Sequence, residues 1–316
     1  MATLARTADR LYWGARYVER AEDTARIVRA YHDMVVDYPS VRVLRWEPLA
    51  AVAGGDADIV VDPDDPSGEI AVVEHLIADA DNPVSIVASV RMARDNLRTT
   101  REVMPREAWQ AVNQLSQYVN ATASAAIARQ RRDQFLGRVI QISRRLDGVV
   151  ESTMSRSDEY RMFRLGRLLE RADMTTRVLG VAAAGILQLE RAGSDELVAD
   201  EVRWMSVLRS VSALQMYQRS VRGPIEGIEV VRFLMAYAPF PRSVRGCFTE
   251  MRTVLAGLPS PDTVLAALDV AEQKLAQSDP DVTVAHELDR AMDQVQLAIA
   301  DVGRAIHRRY VSTFLA

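Results

Sequence analysis

Apolar residues recur at steps of three and four along almost the whole chain, and no stretch alternates as a half-buried strand requires. Over 13–28, WGARYVERAEDTARIV, Gly14, Tyr17, Val18, Ala21, Ala25 and Val28 share one side of a helical wheel, and Arg16, Glu19, Arg20, Asp23 and Arg26 share the other. The pattern predicts a first helix capped at Thr7 or Asp9 and running to about Asp37, where Tyr38-Pro39-Ser40 stops it. Further helices are predicted over 41–52, 70–77, 85–104, 108–132 and 133–155. They continue over 162–190, 196–221, 225–235, 244–256, 262–277 and 281–310. Breakers separate them: a loop rich in Asp, Gly and Pro over 54–68, Pro83, Pro105, Gly193, Gly223-Pro224, Pro239-Phe240-Pro241 and Pro259 to Pro261. The expectation is an all-α helical bundle.

The first helix has a second copy. At a constant offset of 151, Arg16, Glu19, Arg20, Ala21, Glu22, Thr24, Arg26, Ile27 and Val28 are matched by Arg167, Glu170, Arg171, Ala172, Asp173, Thr175, Arg177, Val178 and Leu179. The shared pattern is R-x-x-E-R-A-[ED]-x-T-x-R followed by two aliphatic residues. Ser243-Val244-Arg245 echoes Ser89-Val90-Arg91 at the nearby offset of 154. Internal duplication organises the reading: a first helical half at 1–156 and a second at 157–316, together one bundle.

Two readings of the charged stripe stand side by side. In one it is solvated and laced with Arg/Glu pairs three and four apart, each contributing about 0.2–0.5 kcal/mol. In the other, the recurrence of identical charges marks a buried seam of Arg16, Glu19, Arg20, Glu22 and Arg26 with Arg167, Glu170, Arg171, Asp173 and Arg177. An antiparallel pairing of the two helices about a pseudo-twofold axis would bring these side chains together. The seam would then fix register, or present free guanidinium donors to a carboxylate or phosphate.

Composition narrows the chemistry. A chain of 316 residues at 48% hydrophobic content can bury a sizeable core, and 6% aromatics favour helix over sheet. Lys274 is the only lysine, so no other position offers a lysine nucleophile. A net charge of -4 gives no bulk attraction for nucleic acid or an anionic membrane. The N-terminal stretch lacks the apolar core of a signal peptide, and no run of about 18 apolar residues is present, so a cytoplasmic protein is expected. Cys247 is the lone cysteine and reads as a small buried residue rather than a nucleophile.

Candidate sites are few. Arg91, Arg94, Arg98 and Arg101 form a ladder that is either ion-paired in solvent or an anion platform, and Arg242 and Arg245 offer a second basic pair. No glycine-rich nucleotide loop and no G-x-S-x-G elbow occurs, so no cofactor is expected. A di-iron bundle needs E-x-x-H pairs, and none of His32, His75, His286 or His307 lies three after a glutamate, so no metal is expected.

LARTADRLYWGARYVERAEDTAR and the later PRSVRGCF resemble the bacterial Alpha-E domain family over essentially the whole chain. Members typically read LYW-x-GRYxERAE, which Leu11, Tyr12, Trp13, Arg16, Tyr17, Glu19, Arg20, Ala21 and Glu22 fit. Gly14-Ala15 stands where the family more often has its glycine immediately before the arginine, which shifts a small-residue packing contact. The resemblance implies an all-helical fold and partnership with a circularly permuted ATP-grasp ligase and a transglutaminase-like peptidase. Such a setting implies a role in making, modifying or trimming peptides or amide-linked metabolites, with a peptide or anionic ligand. An accessory binding protein, an enzyme using the Glu/Arg cluster at an amide, and a scaffold are the readings left open.

Overall fold

A computed structural model describes residues 5–37, 46, 49–50, 68–192, 197–278 and 285–311. Among them the chain is all-α. The helices are α1 (Ala5–Asp37), α2 (Glu69–Ile77), α3 (Ile86–Arg98), α4 (Arg106–Thr122), α5 (Arg129–Thr153) and α6 (Asp158–Ala192). They continue as α7 (Leu197–Ser210), α8 (Leu214–Ser220), α9 (Gly227–Ala236), α10 (Val244–Leu255), α11 (Asp262–Gln277) and α12 (Ala285–Tyr310). A short 3₁₀ turn, Ser124–Ile127, links α4 to α5.

The two longest helices, α1 and α6, make the most extensive contact in the molecule. Leu11, Val18, Ala21 and Val28 of α1 and Phe163, Leu165, Leu169 and Ala172 of α6 are fully or almost fully buried, as their apolar stripes require. Around α1 sit α3 and α5, with α4 packed on both; around α6 sit α10 and α12, with α11 packed on both. The N-termini of α3 and α10 are closed alike. Ser85 Oγ accepts from Ala88 N at 3.0 Å and Ser243 Oγ from Gly246 N at 2.9 Å, satisfying a backbone donor the helix leaves over. Thus Ser243 stands opposite Ser85 in this arrangement, one helical turn away from the Ser89 that the sequence echo pairs it with.

Contacts between α1 and α6 advance together along both helices: Tyr12 lies against Gly166, Arg16 against Glu170, and Glu19 against Arg171. The helices therefore run in the same sense, and the antiparallel pairing is corrected. Their approach is closest at Gly166, where a Cβ would run into the Tyr12 carbonyl and lie 3.2 Å from Ala15 Cβ. Gly14 faces elsewhere, onto Leu97 of α3, so the glycine of the α1–α6 contact is the one before Arg167.

α1 already includes Ala5, ahead of the cap expected at Thr7 or Asp9, and α6 begins at Asp158 rather than 162. Three further boundaries differ from the expectation. α3 stops at Arg98 instead of 104 because Thr99 and Thr100 turn their hydroxyls back onto the Asn96 and Leu97 carbonyls. The break expected at 132 falls at 123–128, where Arg132 Nη2 donates to the Ile127 carbonyl at 2.6 Å. The helix expected over 196–221 is two, because Ser212 adopts φ 54°. Ser212 N donates to Arg209 O at 3.0 Å and Ala213 N to Leu208 O at 2.7 Å, a Schellman closure with serine in glycine's usual place. Of the helix expected over 41–52, only Trp46, Leu49 and Ala50 are described, all buried, and of the loop over 54–68 only Gly68; the rest lies outside the described residues.

Replacing Gly166 with Ala is expected to force α1 and α6 apart and to destabilise the chain by about 1–3 kcal/mol or more, since the obstacle is backbone rather than a movable side chain. Urea unfolding of the variant measures it; an unchanged midpoint would show that the helices do not meet there.

Candidate functional site

Where α1 crosses α6 the two copies of the motif exchange ion pairs. Arg16 Nε donates to Glu170 Oε2 at 2.7 Å and Arg20 Nε to Glu170 Oε1 at 2.5 Å. In the reciprocal direction Arg167 Nε donates to Glu19 Oε2 at 2.5 Å and Arg171 Nε to Glu19 Oε1 at 2.8 Å. Both carboxylates are wholly buried, so the solvated reading of the stripe gives way at its centre to a buried seam.

The seam continues unevenly. On the Glu19 side, Arg167 Nη2 reaches Glu22 Oε2 at 2.9 Å, and Arg26 bonds Glu22 and the Ser212 hydroxyl. Arg242, on the turn before α10, adds a third guanidinium to Glu19 at 2.9 Å and donates to Asp23 Oδ1 at 2.6 Å. The corresponding residues of the second copy, Asp173 and Arg177, pair with each other, Arg177 Nε donating to Asp173 Oδ2 at 2.8 Å, and with no other side chain among the described residues. That pair faces an open cleft of about 460 Å³ between α1, α6 and α12, which Arg16 also borders.

Charge follows this geometry. Burial alone would raise both glutamates, but opposite charge within hydrogen-bond reach outweighs it. Arg20 and Arg16 hold Glu170 down to about 2, and Arg167, Arg171 and Arg242 hold Glu19 well below the usual carboxylate range. Asp23 behaves oppositely: burial raises it to about 7 against the pull of Arg242, with Glu19 and Glu22 adding repulsion. Its Oδ2 has no hydrogen-bond partner among the described residues. Both glutamates are thus held as anions.

The remaining candidates divide. Arg242 belongs to the seam, while Arg245 forms no ion pair with it among the described residues. On α3, Arg91 donates to the Ala80 carbonyl at 2.9 Å and Arg94 to Asn113 Oδ1 at 3.1 Å; Arg98 lies exposed beside a shallow surface hollow. The ladder therefore does not converge on one anion platform. Cys247 is buried, its thiol pushed up to about 12 by burial, with Sγ 3.5 Å from the Pro241 carbonyl, as its reading as a small buried residue anticipates.

Sequence reasoning left Asp23, Ser212 and Tyr12 out of the seam and its surroundings, although Asp23 shares the charged stripe of α1. It also missed a second buried cluster, in which Arg132 Nη1 donates to Glu69 Oε1 at 2.7 Å and its guanidinium lies 5.4 Å from the Trp46 ring centroid. No helical spacing links those three residues; the bundle brings them together.

The fold and seam define a class: an all-helical bundle joined by buried glutamate–arginine exchange. Within that class the chain belongs to the Alpha-E family, described as a predicted alpha-helical domain with a conserved ER motif, whose model matches residues 3–311. Glu19-Arg20 and Glu170-Arg171, the two Glu-Arg steps of the repeated motif, are the ones at the seam. No curated protein and no solved structure matches the chain.

Glu19→Gln and Glu170→Gln are each expected to lower the melting temperature strongly. Removing one charge from a buried pair leaves its partners uncompensated, at about 3–5 kcal/mol, and Glu19, with more guanidiniums, is the costlier. Intact stability with lost biological activity would instead mark the seam as a ligand site.

Two pH effects of opposite sign are expected. Glu170 contributes stability that is full above its ordinary value of 4.5 and is lost as pH falls towards 2. Asp23 contributes stability that is full below its ordinary 3.8 and is lost as pH rises through about 7. Urea midpoints at pH 5 and pH 7.5 should therefore fall more for the wild type than for Asp23→Asn; parallel behaviour would contradict the assignment.

Proposed function

We propose that this chain is a non-catalytic helical partner of an ATP-grasp ligase that forms amide bonds, acting with a transglutaminase-like protein and binding the enzyme or its peptide substrate. The observation that carries a binding role is the seam itself. Its glutamates are buried, fully ion-paired and held anionic, which suits a rigid joint and not acid–base work at an amide. Asp23, the seam carboxyl nearest neutrality, is buried beneath Arg242, out of a substrate's reach. A pure scaffold would need no cleft beside the seam, and one of ligand size opens there.

We read the chain as two duplicated halves, 1–156 and 157–316. The 151-residue repeat, the reciprocal ion pairs and the matching packing order around α1 and α6 support that reading. A cytoplasmic setting accords with described helices none of which is long and apolar enough to cross a membrane.

Purified chain, a circularly permuted ATP-grasp ligase, ATP and candidate amino acids together are expected to yield more product, or a longer one, than the ligase without it. Product formation unchanged by omitting the chain would sink the partner role.

A further inference from the structure

The cleft between α1, α6 and α12 differs from the seam in one respect: its cations are not fully consumed. Arg16, which lines the cleft, is held to Glu170 through Nε, and its guanidinium carbon lies 4.9 Å from the Trp13 ring centroid. Arg177 is likewise tied to Asp173 through Nε. From α12, Arg304, His307 and Arg308 also line the cleft, the first paired with Asp301, the second with its Nδ1 3.7 Å from Asp9 Oδ1. Within the lining, Asp173 is the single carboxylate. Two cleft-lining guanidiniums whose ion pairs run through Nε leave in-plane Nη donors for a planar anion to meet.

Apolar residues line the same cleft. Leu169, one turn before Asp173 on α6, and Ile299, both buried, do so with Ala300, and Gly303 keeps this part recessed. Tyr12 lines the cleft at 2% exposure; Arg16 stands within hydrogen-bonding reach of its hydroxyl, but the hydroxyl finds no acceptor for its own proton among the described residues. It lies 3.4 Å from where a Cβ on Gly303 would stand, so a side chain there would crowd it. A bound ligand oxygen would supply the acceptor that this buried hydroxyl lacks.

We propose that this cleft binds an α-carboxylate flanked by an apolar side chain, either a free amino acid or the C-terminal residue of a peptide. Arg16 and Arg177 receive the carboxylate, Leu169 and Ile299 pack against the side chain, and the Tyr12 hydroxyl donates to a ligand oxygen. A volume of about 460 Å³ holds one or two residues, and not a folded partner. The proposal deepens the binding role above by naming its ligand class, and it is tested without any ligase, so either can fail alone.

Calorimetry on the intact chain with Gly-Leu, Gly-Phe, their C-terminally amidated forms, free leucine, free phenylalanine and inorganic phosphate tests it. The free acids are expected to bind and the amides to bind at least tenfold more weakly. Tight binding by the dipeptides marks a peptide end as the ligand, and tight binding by leucine or phenylalanine marks a free amino acid. Tyr12→Phe and Arg177→Gln are expected to weaken binding at least fivefold with little change in melting temperature, since neither touches the buried pairs of Glu19 and Glu170, and Arg177→Gln removes only the partly exposed pair with Asp173. Equal binding of acid and amide, phosphate binding as tightly as the free acids, no binding by any probe, or unaltered affinity in both variants would overturn the site.

Discussion

Two carboxylates lie in the interior where α1 meets α6, and each is held by guanidiniums from the other helix. Neither helix can bury its own motif alone, because Glu19 without Arg167 and Arg171, or Glu170 without Arg16 and Arg20, would be an uncompensated charge in a dry core. Docking is therefore conditional: the apolar stripes of both helices drive association, but only one register completes the pairs. Buried pairs of this kind add little net stability over apolar residues of equal volume, while a half-broken pair is costly. The seam consequently acts on which arrangement forms more than on how firmly it holds.

Close approach and charge exchange depend on each other. The backbone contact at Gly166 brings the helix axes near enough for the Nε atoms of four arginines to meet carboxylates directly, with distances of 2.5–2.8 Å. A wider crossing would admit water and return the charges to the weak regime of surface pairs. The uneven extension of the seam then sets apart its two ends. Glu22 and Arg26 are enclosed by Ser212 and Arg242, whereas Asp173 and Arg177 remain at an open wall. The same local sequence pattern is thus structural at one end and accessible at the other.

Much of this was legible in the chain. The 3.6-residue apolar period gave nearly every described helix, because it is a property of single segments, and the 151-residue repeat singled out the residues of the seam. What stayed hidden depends on tertiary partners. Ser212 ends α7 in a left-handed conformation that sequence rules reserve for glycine, and nothing local announces that Arg26 bonds its hydroxyl. The break near 123–128 has no glycine or proline, only a carbonyl bonded by an arginine that follows it. Arg242 looked like one of a basic pair on a turn, and its role at Glu19 follows from how α10 packs on α6. The relative direction of the two motif helices was likewise beyond reach of a repeat, which is satisfied by either sense.

Cys247 sits on α10 beside this junction, near enough to Arg171 and Arg242 for their charges to act on its thiol. Buried and protonated, it is shielded from alkylating reagents while α10 is seated on α6. As the chain's lone cysteine, it makes the protein carry its own chemical clock: the rate at which an added thiol reagent consumes it counts how often the junction opens, with no label to introduce and no other sulfhydryl to confuse the reading.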